Sequence, residues 1–369
     1  MRILHIFPNF GVGGSQVRFA MLAETLGRRI AHTVLAIDHD YAARALVPAD
    51  ADVSYVTFRP ASSFYARLKS YRSYLRTCRP DILITYNWGA IEWALAGAIG
   101  KVPHIHIEDG FGPDEARGQL RRRVWTRHVA LRGSTLVVPS LTLHDIAIHK
   151  WKLPCERVKY IPNGIASRNT YRTALAKRGI ELPADLPRIA WVGALRPEKN
   201  PLRMLRAFAP LRGKAVLLML GDGPERNAVL REAQRLGLLP YFRLLGHQDD
   251  PRDIIMQCDI LGLSSDTEQM PFAVLEAMDG GLAIAAVDVG DIRQMVSAEN
   301  RPFIVPARDD ALCTAMNSLI SDRVLRAKIG LANRIRLRKV YDILNMTIEY
   351  SQLFDTTAAA RNNRRIAHV

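Results

Sequence analysis

The sequence predicts an α/β protein built from two doubly wound domains, each with its own parallel sheet. Short apolar runs alternate with longer helical patterns along the whole chain, which is typical of βαβ units. The alternation pauses at 160–169 (YIPNGIASRN), where a proline, an Asn-Gly pair and polar residues indicate a linker, and then it restarts. A length of 369 residues also exceeds what one core usually spans. We expect domains at 1–166 and 167–340, then a terminal helix and tail at 341–369 that pack back toward the first domain.

The individual elements follow from these runs. The first half contains the predicted strands RILHIF, HTVLAI, VSYVTF, ILITYN, HIHIED and VVPS, and the second half contains RIAWVG, AVLLMLG, FRLLG, DILGLS, LAIAAVD and PFIVP. The clearest helical patterns lie at 16–27, 200–211, 225–236, 271–279 and 340–354. Ligands of open parallel sheets bind outside the carboxyl ends of the strands, so functional residues are expected in the loops that follow them.

The charge distribution calls for an anionic partner. The net charge is +15, and the first 168 residues hold 23 Lys and Arg against 13 Asp and Glu, an excess of 10. Two runs contain no acid, at 67–79 (RLKSYRSYLRTCR) and at 116–132 (ARGQLRRRVWTRHVALR). Nucleic acid, an anionic membrane and phosphorylated substrates fit such runs. Nucleic acid is disfavoured, because no known reading module is present and aromatic residues do not alternate with the cations.

Other protein classes are disfavoured by composition. The N-terminus runs directly into a strand and lacks the apolar core of a secretory signal, and no window of about 18 apolar residues occurs. We therefore expect a cytoplasmic protein. The four cysteines lie far apart without a CxxC pair, which argues against a zinc site or a disulfide framework.

The segment 267–281 (TEQMPFAVLEAMDGG) places two glutamates around a predicted helix start. Glu268 precedes Pro271, which suits a first helical turn, and Glu276 falls inside the helix. Free amides at a helix start attract phosphate, and carboxylates beside them can accept hydrogen bonds from sugar hydroxyls. This combination suits a nucleotide sugar. The alternative is a helix that Glu268 caps, with Glu276 in solvent.

Two further loops carry residues suited to a diphosphate. VGALRPEKNP follows the first strand of the second half and contains Gly193, Arg196 and Lys199. GDGPER follows the next strand, and Gly221 and Gly223 would let the backbone approach a ligand closely. Each signal is weak by itself.

Four segments of the second half, taken in order, resemble the donor half of the retaining GT-B glycosyltransferases of family 4. They are VGALRPEKNP, LGDGPER, LGHQDD and EQMPFAVLEAMDGG. Glu268 and Glu276 match the two acids of that family's EX7E motif, and FGVGGSQ resembles its glycine loop. The resemblance spans about residues 3–350 and is more specific in the second half. It implies two Rossmann-like domains facing across a cleft, and transfer of a sugar from a UDP or GDP type donor with retention.

The resemblance also implies roles for residues. Glu268 would contact the donor sugar and Glu276 the ribose. Arg196 and Lys199 would neutralise the departing diphosphate, which a metal does in other transferases, so no metal or other cofactor is expected. The residues expected to bind the donor are Gly13, Gly14, Gly193, Arg196, Lys199, Gly221, Gly223, Met270, Phe272 and Glu276.

Asp109 departs from the family pattern, because it stands where the family commonly has a histidine. It would orient the acceptor or assist proton transfer, and completes the expected catalytic set of Glu268, Asp109, Lys199 and Arg196. The second acid-free run follows it. Five of its arginines are expected to contact an anionic membrane or a lipid-linked acceptor: Arg117, Arg121, Arg122, Arg123 and Arg127. The alternative is that the run forms a solvated surface helix.

The sequence thus predicts a glycosyltransferase at the inner face of the membrane that acts on a glycan or lipid-linked acceptor in polysaccharide or glycolipid biosynthesis. Two alternatives stay open. A hydrolysing nucleotide-sugar 2-epimerase would share the two-domain fold and the donor. A non-catalytic GT-B partner subunit would keep the fold and bind donor weakly.

Overall fold

The structure is a computed structural model that describes residues 1–111, 115, 118–168, 175, 182–183, 185–248 and 250–366, with side chains up to residue 359. Its contacts divide the chain into two units. Unit 1 comprises Met1–Gly164 and Ile343–Val369, and unit 2 comprises Ile165–Asp342. The sequence placed these junctions at 166/167 and 340/341.

Within the described residues of unit 1, seven parallel strands form one sheet in the order β3-β2-β1-β4-β5-β6-β7. The strands are β1 (Arg2–Phe7), β2 (Ala31–Ala36), β3 (Val53–Val56), β4 (Ile82–Tyr86), β5 (His104–Ile107), β6 (Thr135–Val138) and β7 (Val158–Tyr160). The helices between them are α1 (Gly14–Leu26), α2 (Phe64–Cys78), α3 (Ile91–Ile99), α4 (Arg121–Leu131) and α5 (Leu141–His149).

Unit 2 repeats this design: its described residues form a six-stranded parallel sheet in the order β10-β9-β8-β11-β12-β13. The strands are β8 (Arg188–Val192), β9 (Val216–Leu220), β10 (Phe242–Leu244), β11 (Ile260–Leu263), β12 (Ala283–Val287) and β13 (Ile304–Val305). The helices are α6 (Pro201–Phe208), α7 (Arg226–Arg235), α8 (Arg252–Ile255), α9 (Phe272–Asp279), α10 (Ile292–Met295), α11 (Asp309–Ser321) and α12 (Arg323–Val340).

The terminal helix α13 (Ile343–Ile366) belongs to unit 1. The pattern at 340–354 predicted it, but it continues to Ile366. Its Tyr350 and Phe354 are buried in the same core as Phe7 and Phe19, close to the carboxyl end of β1. The apolar face of α13 is therefore held by packing in unit 1.

Three interior strands are buried along their full length: β4 (ILITY), β9 (VLLML) and β12 (AIAAV). Continuous apolar runs of this kind are typical of parallel strands covered by helices on both faces. In each sheet the strand order reverses once, between β1 and β4 in unit 1 and between β8 and β11 in unit 2. Such reversals open a crevice at the carboxyl ends of the strands, where α/β proteins bind ligands.

Candidate functional site

The loops after β8 and β11 form the center of the site in unit 2. Ser264 Oγ donates to the carbonyl of Lys199 over 3.1 Å, and the amide of Asp266 donates to the carbonyl of Glu198 over 2.9 Å. These hydrogen bonds hold the two loops, which are far apart in sequence, against each other at the strand-order reversal.

Local sequence sets the position of Lys199. Pro197–Lys199 forms a single 3-10 turn, and Asn200 follows with φ of +46°. Asn tolerates this left-handed conformation, and its side chain caps α6 by accepting from the amide of Arg203 over 3.1 Å. The Lys-Asn-Pro sequence therefore ends the loop and starts the helix within three residues, which fixes the lysine backbone.

Lys199 and Glu268 meet directly. Lys199 Nζ lies 2.6 Å from Glu268 Oε1, and Ser265 Oγ donates to the same oxygen over 2.7 Å. The Glu268 side chain is 8% exposed, so its charge needs this compensation. Both donors use Oε1, and no donor among the residues that the structure describes is bonded to Oε2.

Arg196 begins the same loop and is exposed. Among the residues that the structure describes, its guanidinium has no ion-pair partner, and no contact joins it to Glu268. Lys199 and Glu268 are thus brought together, while Arg196 stands nearby in sequence with its charge available to a ligand.

Glu276 lies inside α9. Pro271 stands at the N-cap of α9 and no side chain caps the helix, so the interpretation of Glu268 as a capping residue is wrong. Glu276 is 13% exposed, so it is not solvated either. Burial raises its pKa to about 7, against the opposing effect of Arg252, whose Nε lies 3.9 Å away. Near neutral pH this carboxyl can therefore either accept or donate a hydrogen bond.

Gly221 and Gly223 are required by the packing of two backbone loops, which the sequence did not predict. They have φ of +142° and +157°, and a Cβ would lie 1.9 Å from the Gly193 carbonyl oxygen and 2.6 Å from that of Leu195. The close approach is therefore between two backbone loops of the protein, and any role toward a ligand stays a prediction. Met270 is buried and Phe272 half-buried at the start of α9.

In unit 1 the glycine loop leads into α1 at the other strand-order reversal. Gly13 is the N-cap in an extended conformation, Gly14 begins the helix, and the first turn contains no acid and no side-chain cap. Gln16 Nε2 donates to the carbonyl of Asn9 over 2.6 Å and holds the loop. An uncapped helix start of this kind can accept an anion.

Asp109 follows β5 and forms a two-bond ion pair with Arg18. The two contacts measure 2.6 Å and 2.8 Å, and Arg18 also donates to Asn163 Oδ1 over 3.0 Å. Burial alone would lower the pKa of the Arg18 guanidinium, but Asp109 overrides it and the pKa ends above its ordinary value. Both carboxylate oxygens of Asp109 therefore bind one guanidinium, and the role of Asp109 toward an acceptor stays a prediction.

Sequence reasoning missed Arg18. Its signal was a single cation inside the otherwise apolar stretch VRFAMLA of α1. The side chain is 1% exposed, so a buried partner was required. Nothing local indicated that this partner is Asp109.

The arginines of the second acid-free run do not form one surface. Arg127 is fully buried and bonds Glu115 over 2.9 Å and Glu108 over 3.3 Å, so its predicted place in a membrane patch is wrong. Its guanidinium lies over three rings, those of Trp88, Phe111 and Trp151. Arg123 is mostly buried and lies 3.3 Å from Glu115. The buried acids take these cations because an unpaired buried carboxylate is costly.

Arg121 and Arg122 are exposed on α4, beside Trp125, which is 67% exposed. Arg117 lies outside the described residues. None of the helices that the structure describes has the length and hydropathy needed to cross a membrane. Across the described side chains, no group of three His, Cys, Asp or Glu is arranged to hold a metal ion.

Comparison with known proteins identifies the family. The profile of "Glycosyl transferases group 1" matches residues 174–336, and that of "Glycosyl transferase 4-like domain" matches residues 13–164. The chain belongs to the group 1 glycosyltransferases. Its two-domain α/β architecture is the GT-B fold of that family.

Individual relatives of this group 1 glycosyltransferase are distant. The D-inositol 3-phosphate glycosyltransferase of Stackebrandtia nassauensis is 23% identical over 67% of this chain and 59% of its own length. The UDP-Gal:alpha-D-GlcNAc-diphosphoundecaprenol alpha-1,3-galactosyltransferase of Escherichia coli is 26% identical over 63% and 64%. The match thus spans less than two thirds of either relative.

A solved structure supports the fold. The structure of Anabaena Alr3699/HepE in complex with UDP-glucose aligns with a TM-score of 0.82. The alignment covers 96% of this chain and 100% of that one, at 18% sequence identity. At this identity the likeness establishes the fold.

Proposed function

We propose that this protein transfers a sugar from a nucleotide diphosphate sugar, of the UDP or GDP type, to a glycan or lipid-linked acceptor with retention of anomeric configuration. The observation that carries the proposal is the Lys199–Glu268 pair at the strand-order reversal of unit 2. A cation for phosphate and a carboxylate for hydroxyls, 2.6 Å apart, suit a ligand in which a sugar joins a diphosphate.

The chemistry assigns each residue one task. The bond between the anomeric carbon and the phosphate oxygen breaks while the acceptor oxygen bonds to that carbon from the same face. Lys199 and Arg196 stabilise the charge that develops on the departing diphosphate, without a metal. The donor phosphate takes the acceptor proton. Glu268 holds the sugar through Oε2, and Glu276 holds the ribose.

The relatives support the donor and acceptor classes. The Escherichia coli relative is named for a UDP-sugar donor and a diphosphoundecaprenol acceptor, and the Anabaena structure contains UDP-glucose. The exposed cations Arg121 and Arg122, together with Trp125, support a peripheral position at an anionic membrane surface.

Two alternatives differ in what they do with donor. An epimerase would act on the nucleotide sugar without an acceptor, whereas a transferase needs one. A non-catalytic subunit would bind donor and consume none. The intact Lys199–Glu268 contact argues against the non-catalytic subunit. Transfer from a panel of nucleotide sugars to membrane lipid distinguishes the transferase from the epimerase.

We expect Lys199→Ala and Arg196→Ala each to weaken nucleoside diphosphate binding by roughly tenfold or more, because each loses a charge-assisted bond worth about 1.5–3 kcal/mol. Binding of the nucleoside alone should change little, since it has no phosphate. Isothermal titration with UDP and uridine, and with GDP and guanosine, measures both.

Lys214→Ala is the matched control, since Lys214 is exposed and precedes β9, at the amino ends of the strands, whereas the site lies at their carboxyl ends. It should leave both affinities unchanged. An equal loss of nucleoside and nucleoside diphosphate binding in the Lys199 and Arg196 variants would refute their assignment to the phosphates.

A further inference from the structure

Arg252 is a buried cation of unit 2 to which the sugar-transfer chemistry assigns no task. It begins the short helix α8, and its side chain is 7% exposed. Nη1 donates to the carbonyl of Ala166 over 3.0 Å, and Nε lies 3.9 Å from Glu276 Oε1. A buried charge needs such compensation. One guanidinium therefore bridges the start of unit 2 and the carboxyl of Glu276.

The backbone of Arg252 is fixed by a nearby aspartate. Asp250 Oδ1 accepts from the amide of Arg252 over 3.1 Å, in a turn where the aspartate side chain binds the backbone two residues on. The other oxygen of Asp250 pairs with the Arg168 guanidinium. Arg252 is thus held at its main chain, and its side chain reaches Glu276 from a defined position.

Helix α9 holds the backbone segment that accepts from this guanidinium. Asp279 lies one turn after Glu276 on α9 and is buried. Its Oδ1 accepts from Ser167 Oγ over 2.5 Å, and its Oδ2 accepts from the amide of Arg168 over 3.0 Å. Because these two residues are bound to α9, the carbonyl of Ala166, which precedes them, is a fixed anchor for the guanidinium.

Arg252 also influences the charge of Glu276. Burial raises the pKa of the Glu276 carboxyl to about 7, and Arg252 is the largest influence that opposes this rise. Asp250 raises the pKa and Arg168 lowers it, both by less than Arg252 does. A hydroxyl donates more strongly to an ionised carboxylate, because charge-assisted hydrogen bonds are roughly twice as strong as neutral ones. Loss of Arg252 would therefore weaken such a bond near neutral pH by protonating Glu276.

We infer that Arg252 is a positioning residue for the donor: anchored on the Ala166 carbonyl, it holds the Glu276 carboxylate in place for the ribose hydroxyls. It acts through Glu276 and takes no part in the transfer of the sugar. The inference deepens the proposed function and rests on it, because that function assigns Glu276 to the ribose.

The test compares each nucleotide with a form that lacks one ribose hydroxyl. Isothermal titration of the full chain measures the affinities for UDP and 2′-deoxy-UDP, and for GDP and 2′-deoxy-GDP, from about pH 6 to about pH 8.5. The ratio of the two affinities isolates the ribose contact, since the base and the phosphates are shared. In the wild type this preference for ribose should be full above about pH 7 and should fade below it, as Glu276 becomes protonated.

Arg252→Gln should reduce the preference for ribose roughly fivefold at about pH 7, which is the difference between a charge-assisted and a neutral hydrogen bond. At about pH 8.5 part of the preference should return, because its pH midpoint rises with the pKa of Glu276, by about one pH unit or more. A residue that served only the stability of the fold would give no such recovery.

Arg326→Gln is the matched control. Arg326 is likewise buried in unit 2, donates to the carbonyls of Leu319 and Ile320, and has Asp259 as its ion-pair partner. The variant should lose stability but keep the preference for ribose and its pH midpoint.

Arg252→Lys is a second variant, which keeps the positive charge and serves also if Arg252→Gln does not fold. Its pH midpoint should stay near that of the wild type. A midpoint raised by about one pH unit in Arg252→Lys would contradict the inference.

An unchanged preference and midpoint in Arg252→Gln would overturn the inference and leave the proposed function intact. A loss that is the same at every pH, or the same in Arg326→Gln, would overturn it as well. A wild type that binds nucleoside diphosphates without preferring ribose would remove Glu276 from the ribose, and the inference with it. A wild type that binds no nucleoside diphosphate would refute the proposed function itself.

Discussion

Glu268→Gln is expected to lower the rate of sugar transfer by about 10²-fold or more while the chain keeps its fold. Glutamine has nearly the same shape but cannot carry the charge that Lys199 Nζ approaches to 2.6 Å. It also presents an amide where a sugar hydroxyl would donate. The measurement is turnover of the wild type and the variant at saturating donor, with circular dichroism to confirm folding.

Asp266→Asn is the matched control for this change. Asp266 lies in the same loop, and the substitution removes the same charge. The Asp266 carboxylate, however, accepts from Asn200 over 3.0 Å and pairs with Arg203 instead of Lys199. It should keep turnover within a few-fold of wild type. Wild-type turnover in Glu268→Gln, or an equal loss in both variants, would contradict the assigned role.

Gly290→Ala is expected to have a comparable effect through the backbone of Glu268. Gly290 has φ of +57°, and a Cβ there would lie 2.3 Å from the Glu268 carbonyl oxygen and 2.8 Å from that of Gln269. The methyl group must therefore displace the main chain of Glu268. A misplacement of about 1 Å costs on the order of 10²-fold in rate when a reacting group is positioned so closely.

Gly237→Ala separates this contact from backbone strain. Gly237 has φ of +65°, and a Cβ there would meet nothing within 4 Å. Gly237→Ala should lose roughly 1–2 kcal/mol of stability from the left-handed conformation, and Gly290→Ala should lose more because its methyl group also displaces the main chain, both measured by denaturant unfolding. Only Gly290→Ala should lose activity as well. If both variants keep wild-type turnover, Gly290 does not position Glu268.

The fold could be predicted from sequence because its signals are local. Buried runs such as those of β4, β9 and β12 have few alternatives to a parallel strand, and the pause at 160–169 was visible in the turn residues. The end of α13 was placed too early, because the polar stretch after Phe354 continues the helix.

Site residues could be predicted only where the sequence of a single loop indicated their role. Lys199 and Glu268 were singled out separately, but their contact joins residues 69 positions apart. The partner of Asp109 is Arg18, 91 positions away, so no local pattern could show that both carboxylate oxygens are occupied. The prediction that Arg127 lies in an exposed patch was wrong for the same reason. Its partners Glu108 and Glu115 lie outside the acid-free run in sequence but contact Arg127 in the fold.

The central claim is that the protein moves a sugar from a nucleotide diphosphate donor to an acceptor. The most direct measurement incubates the full chain with a panel of nucleotide sugars and a membrane lipid extract, then identifies products by mass spectrometry and their anomeric configuration by NMR. The account predicts an acceptor that is heavier by one sugar, formed with retention, only when both substrates are present. Release of free or epimerised sugar without acceptor, or no consumption of any donor that binds, would contradict it.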